Sequence, residues 1–261
     1  MNSNCTKAIT ECLCNQWITN TTLMVNMPST EEAVDVARRN NLLDHIGLHL
    51  NFTEGQPLTS RMKGCAEFCD EKGYFNWHFR TGRVHGLTPL TRQQQEILAE
   101  ETDAQVRRYL ELGLTVRHFD AHHHSHLVFR VMPIVFDIAQ KYGFKTVRRT
   151  VDMRAWGKLR SQLYYPLNSS MKMRQVRRFG FVTTDHFGAL ADLRDYFRKL
   201  RNGDTVELMV HPMYLKNGAL DMTGEMSDSG LRLMHETIDF VESHGAEMEK
   251  ISFKELYDGR Q

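Results

Sequence analysis

Apolar and polar positions along this chain switch repeatedly between a period of two and a helical period. Thr19–Asn26 (TNTTLMVN) is β-branched and apolar, which predicts a strand, and Pro28 ends it. Ser29-Thr-Glu-Glu32 then reads as a capping box opening a helix toward Asn40. Ile46–Asn51 alternates as a second strand, followed by a long loop over 52–90 that carries Gly55-Gln-Pro57 and Lys72-Gly73. Thr91 with Gln94 caps a polar helix running to about Leu112, and Gly113 stops it. Leu114–Asp120 is strand-like, Val131–Tyr142 is an apolar helix closed by Gly143, and Lys145–Arg148 is a short strand. Residues 151–185 read as irregular, basic and aromatic. A helix over Leu190–Leu200, a strand over Thr205–His211, a helix over Gly230–His244, a strand over Met248–Ser252 and a short closing helix complete the pattern. Such alternation predicts an α/β fold with parallel strands joined by crossover helices. No internal repeat or low-complexity segment interrupts it.

Strand parity adds a second layer. Alternate side chains of a strand point to opposite faces. Ile46, Leu48 and Leu50 share one face, and Gly47, His49 and Asn51 share the other. Val206, Leu208 and Val210 oppose Glu207, Met209 and His211 in the same way, and Asp120 lies on the face away from Phe119. Three strands therefore each place a ligand-capable polar residue near their C-terminal ends, where α/β barrels build their active sites.

Composition narrows the function classes. A chain of 261 residues can form one large domain spanning 1–261, and a formal net charge of +1 gives no general attraction to nucleic acid or to a membrane surface. No apolar run approaches the roughly 18 residues of a membrane span, and no basic-then-apolar leader opens the chain, so a cytoplasmic protein is expected. The five cysteines (Cys5, Cys12, Cys14, Cys65 and Cys69) are odd in number, which argues for free thiols over a disulfide framework. Cys65 and Cys69 could sit one helical turn apart, but buried free thiols are the plainer reading.

The chemistry concentrates in Arg117-His-Phe-Asp-Ala-His-His-His-Ser-His126, with five histidines and one aspartate in ten residues. Imidazole is the commonest protein ligand for transition metals. Together with His49, this stretch predicts a divalent-metal site with hydrolytic chemistry. A lone strand histidine is more often a packed residue, so the convergence of segments matters more than any single ring. Glu54 lies on the loop after His49, within possible reach of the site. The basic run Lys172–Arg178 reads as a solvated face, and a lid or anion contact is the lesser alternative.

These segments resemble the YdjC-like carbohydrate deacetylases, a family that includes chitooligosaccharide deacetylases. The resemblance rests on Gly47-Leu-His-Leu-Asn-Phe-Thr-Glu-Gly-Gln-Pro-Leu58, Phe119-Asp-Ala-His-His-His-Ser-His126 and Val210-His-Pro212. Smaller echoes are Asp70–Phe75, Val147-Arg148, Thr184-Asp-His-Phe187 and Ser252-Phe-Lys-Glu-Leu256. The resemblance implies a deformed β/α barrel of the NodB/TIM-like kind with one divalent metal ion, magnesium or zinc. It implies His49 and His122 as metal ligands and His211 as the general acid. It further implies Asp120 as the group orienting a ligand histidine, Arg148 near the sugar, and His124 and His126 as supporting residues. The substrate implied is an acetylated amino sugar, hydrolysed to acetate and a free amine, and a homodimer is suggested. Trp77, Trp156, Tyr164 and Tyr165 are candidates for sugar-stacking walls, with core packing the alternative.

The family opens with a strand ending in Ala-Asp-Asp-Phe-Gly, and that motif does not occur here. Met1–Ile9 resembles the stretch that follows it, so the first strand is expected to be missing, together with the third metal ligand and the base. Two rival expectations follow. One is a truncated, non-catalytic carbohydrate-binding relic. The other is a different metal hydrolase, against which the mid-chain position of the histidine cluster argues.

Overall fold

The computed structural model describes residues 3–76, 88–153, 159–223, 236, 239–240, 242–244 and 248–259, with backbone only at 159–166 and 191. The chain enters through helix α1 (Ser3–Cys14) and strand β1 (Thr21–Leu23), followed by α2 (Thr30–Arg39) and β2 (Ile46–Leu50). A one-turn helix α3 (Ser60–Lys63) interrupts the long loop before α4 (Arg92–Glu111). Then come β3 (His118–Ala121), α5 (Met132–Lys141), β4 (Thr146–Val147) and α6 (Leu159–Arg178). Strands β5 (His186–Ala189) and β6 (Val206–Met209) flank α7 (Leu193–Tyr196). The short strands β7 (Met213–Tyr214) and β8 (Leu220–Asp221) precede the closing helix Phe253–Asp258.

The expected α/β character holds. Strands β1–β4 form a parallel sheet in chain order, β5 pairs with β6 in parallel, and β7 and β8 form an antiparallel pair. Among the described residues these remain three separate hydrogen-bonded sheets, and closure into one barrel is not seen. Register explains the core. Leu23 pairs with Leu48, Leu48 with Phe119, and Phe119 with Val147, so one apolar row crosses all four strands and is buried. The next row, one residue further along, starts the functional site. Gly47 is needed where β1, β2 and β3 close up, because a Cβ there would lie 2.9 Å from the His118 carbonyl oxygen and 3.2 Å from Thr22 Cγ2.

Several local expectations are met. Thr91 and Gln94 form the full capping box of α4, and Gly113 and Gly143 follow α4 and α5 with φ of +82° and +75°. Others are corrected. The Ser29 box does not form, because Ser29 has φ −89° and ψ 11°, whereas a capping residue needs an extended backbone to reach the N3 amide. Thr30 secures the turn instead, its hydroxyl lying 2.8 Å from the Met24 carbonyl oxygen and 2.7 Å from that of Met27. The segment expected to be irregular contains α6, whose buried stripe is narrow, with Met173 and Val176 inside and Arg174, Arg177 and Arg178 outside. Helix Leu190–Leu200 divides into a 3-10 turn, α7 and a second 3-10 turn, and 248–252 is not a strand. The helix expected over 230–244 lies largely outside the described residues, as do Trp77, Trp156 and the side chains of Tyr164 and Tyr165. The cysteines are free, and burial raises the Cys12 thiol to about 11 and the Cys69 thiol to about 12.

Candidate functional site

The polar row beside the apolar one is built by register. His49 of β2 pairs directly with Asp120 of β3, and Arg148 directly follows β4. His49 Nδ1 lies 2.6 Å from Asp120 Oδ1, with Thr22 Oγ1 3.1 Å away on the neighbouring strand. The second Asp120 oxygen pairs with Arg148 NH1, and Arg148 Nε donates to Glu207 Oε1 of β6 at 2.6 Å. A charge chain therefore runs from His49 through Asp120 and Arg148 to Glu207, joining the four-stranded sheet to the β5–β6 pair. The Arg148 guanidinium also stacks 5.0 Å from the Phe187 ring.

Opposing forces set these protonation states. Burial pushes the Asp120 carboxyl up, but the Arg148 charge and the hydrogen bond with His49 outweigh it and hold the group well below the usual carboxylate range. Burial works against the Arg148 charge, and Asp120 and Glu207 more than restore it. Burial raises Glu207, which Arg148 only partly offsets.

The histidine run breaks the strand. Ala121 is extended, and His123 and His124 then adopt left-handed backbone angles, φ 54° and 56°. Such angles are uncommon away from glycine and cluster at functional sites. The turn splays three successive rings. His122 faces His49, with Nδ1 3.3 Å from His49 Nε2. His123 lies against His122 and bonds Thr53 Oγ1 at 2.9 Å. His124 packs edge-on against Phe187. The chain then turns inward, so that His126 is fully buried with Nε2 3.0 Å from the Arg148 carbonyl oxygen. Burial lowers His126 to about 4, and burial with nearby His49 and His123 lowers His122 to about 3. Both rings are thus neutral at pH 7, the form that binds metals.

His211 does not sit in β6 as parity predicted. It lies two residues past the strand end, with its amide donating to the Met222 carbonyl at 2.8 Å. The residue as a whole is exposed, yet partial burial of the ring lowers its pKa, with Arg148 and His49 adding to the effect and Asp120 opposing it. Glu54 does reach the site, with Oε2 3.2 Å from His122 Nε2. Glu207 was on the correct face in the sequence but was not singled out; a carboxylate within an apolar strand was the available signal.

The donor set suits a divalent ion in part. The Asp120 contact at Nδ1 directs the His49 proton to that nitrogen and leaves the Nε2 lone pair free. Two ligand nitrogens at zinc-type bond lengths in tetrahedral positions stand about 3.3 Å apart, which is the separation found here. Among the described residues, no three His, Cys, Asp or Glu side chains gather round one point.

The sequence model of the YdjC-like proteins matches residues 1–248. The chain belongs to the YdjC-like family. It is 31% identical over 213 residues to a carbohydrate deacetylase of Vibrio cholerae, covering 76% of this chain and 68% of that one. It is 29% identical over 198 residues to carbohydrate deacetylase 1 of Listeria innocua, covering 76% and 71% of the two chains. A crystal structure of an Enterococcus faecalis protein, described as a candidate cellobiose-phosphate cleavage protein, superposes with a TM-score of 0.66 at 20% identity. That match covers 98% of this chain and 94% of the other, and supports the fold alone. Family and relatives identify a carbohydrate deacetylase lineage. No described helix is long and apolar enough to cross a membrane.

Proposed function

We propose that this chain is a metal-dependent deacetylase of N-acetylated sugars, of the chitooligosaccharide type, with a deformed β/α barrel as its framework. The observation that carries this reading is the pair of imidazoles, His49 Nε2 and His122 Nδ1, facing each other at 3.3 Å with Asp120 behind the first. These two residues would hold the ion. Two imidazoles with a carboxylate suit zinc, and an oxygen-rich shell with several waters would suit magnesium. When bound, the ion supplies Lewis acidity for the acetamide carbonyl and makes water a better nucleophile.

The chain's own groups do the rest. Asp120 holds the Nδ1–H of His49 and thereby the orientation of its ring. Arg148, fixed between Asp120 and Glu207, keeps the Asp120 carboxylate ionised and in place behind His49. His211, an exposed residue just past β6 with a lowered pKa, is the proton carrier. It takes the proton released as water attacks the acetyl carbon. It then delivers that proton to the departing amine nitrogen, as the C–N bond breaks to give acetate and the free amino sugar.

Acetate release from N,N′-diacetylchitobiose by chelator-stripped and metal-reloaded protein tests the reading. Metal-restored release is expected, together with a 10²- to 10⁴-fold loss of turnover in His211→Ala, roughly the range for a proton-transfer group, at unchanged metal affinity. Full turnover in His211→Ala would remove that residue from the mechanism. Phosphate release from model esters, without acetate release from sugars, would replace the proposed reaction.

A further inference from the structure

Each of the two facing imidazoles has a carboxylate at its other nitrogen. Asp120 Oδ1 lies 2.6 Å from His49 Nδ1, and Glu54 Oε2 lies 3.2 Å from His122 Nε2. The first carboxylate is buried on a strand, whereas the second is half-exposed on a loop. That loop is nevertheless held at its backbone. The Glu54 amide donates to Asn51 Oδ1 at 3.1 Å, and its carbonyl accepts from Asn51 Nδ2 at 2.7 Å. Asn26 ties the same loop by donating to the Gln56 carbonyl at 2.9 Å. Glu54 is therefore placed by fixed backbone, and its side chain points back at the histidine run.

A neutral imidazole has one N–H to place. On His122 it can sit at Nδ1 and donate to His49 Nε2, a neutral contact at a long 3.3 Å. That choice would set the Nε2 lone pair against the Glu54 carboxylate. Alternatively it sits at Nε2 and faces Glu54. Contacts of an N–H with an ionised acceptor are roughly twice as strong as neutral ones, so the carboxylate decides. We propose that Glu54 is a positioning residue that fixes His122 as its Nε2–H tautomer, presenting the Nδ1 lone pair to the point that His49 Nε2 already faces. The two ligand rings are then set by two separate carboxylates, one rigid and one adjustable. The proposal rests on the metal reading above for its purpose, but the tautomer can be measured without metal.

The experiment is long-range ¹H–¹⁵N correlation on metal-free, ¹⁵N-histidine-labelled protein, with His122 assigned from the spectrum of His122→Ala. The wild type is expected to show His122 as Nε2–H, and Glu54→Ala to show a tautomer mixture or the Nδ1–H form. Zinc titration of the same two proteins is expected to show a 10- to 100-fold weaker affinity in Glu54→Ala, roughly the range for losing such a partner. A purely structural role for Glu54 would leave the tautomer unmoved. A wild-type His122 that is Nδ1–H or doubly protonated overturns the proposal, as does a Glu54→Ala protein with unchanged tautomer. The required tautomer shift in a wild-type protein that binds neither zinc nor magnesium counts for the Glu54 assignment and against the metal reading.

Discussion

The two halves of the site are built differently. His49, Asp120, Arg148 and Glu207 stand on or beside strands, placed by register, with side-chain exposures of 17%, 0%, 12% and 10%. His122 and Glu54 stand on a left-handed turn and a loop, with exposures of 24% and 54%. The strand half is a buried charge chain whose members depend on one another. The loop half can be altered with little effect on the core. Stability and function should therefore separate between them, and the expected effects below run from the largest separation to the smallest.

Arg148→Met is the strongest way to break this contrast. It leaves Asp120 and Glu207 buried without their shared cation, and breaking a buried pair costs about 3–5 kcal/mol. Glu54→Ala, by contrast, should stay within about 0.5 kcal/mol of the wild type, as for most surface substitutions. Urea unfolding of both variants checks this, and equal losses would erase the distinction between the halves.

Acid should act through the buried histidines around the site. Burial lowers His118 to about 3 and His126 to about 4, so both bind protons more weakly folded than unfolded. Their contribution is complete above about pH 6.5, the ordinary histidine value, and is lost as pH falls toward their folded values. Asp120, held below the usual carboxylate range, adds a similar loss at lower pH. Each buried histidine contributes a slope of about 1.4 kcal/mol per pH unit within its window. Unfolding free energies at several pH values between 6.5 and 4.5 should show His118→Gln with a shallower slope by that amount. Parallel slopes would mean that His118 is not held neutral.

Much of the strand half was legible in the sequence. Parity placed His49 on the face opposite Leu48, and Asp120 opposite Phe119, because a side-chain period of two survives any choice of partner strand. Parity failed at the strand ends. His211 lies past β6, and the 122–124 run leaves β3 through two left-handed residues, which no hydrophobic pattern announces. Glu54 could be placed near His49 along the chain, but its approach to His122 depends on Asn51 and Asn26 folding the loop back. Helix α6 was missed because only Met173 and Val176 of its basic last turns are buried, too thin a stripe to stand out. The Ser29 cap failed because the chain enters α2 through a tight turn instead of an extended residue.

Two smaller substitutions sharpen the picture of the strand half. Gly47→Ala forces a Cβ to within 2.9 Å of the His118 carbonyl oxygen, so β2 and β3 must separate. A loss of about 1–3 kcal/mol is expected for such overpacking, visible as a lower urea midpoint, and no loss would mean the strands are more loosely paired. Phe253 stacks on His118 with the rings 4° from parallel. Phe253→Leu should cost only about 0.5–1.5 kcal/mol beyond the area lost, the range for aromatic pairs, and thermal melts would resolve it.

The most direct test of the account is a zinc titration of the stripped protein beside His49→Ala and His122→Ala, one variant from each half. The account predicts one tightly bound ion per chain in the wild type, with tight binding lost in both variants. Wild-type binding in either variant would show that the two imidazoles do not share one ion.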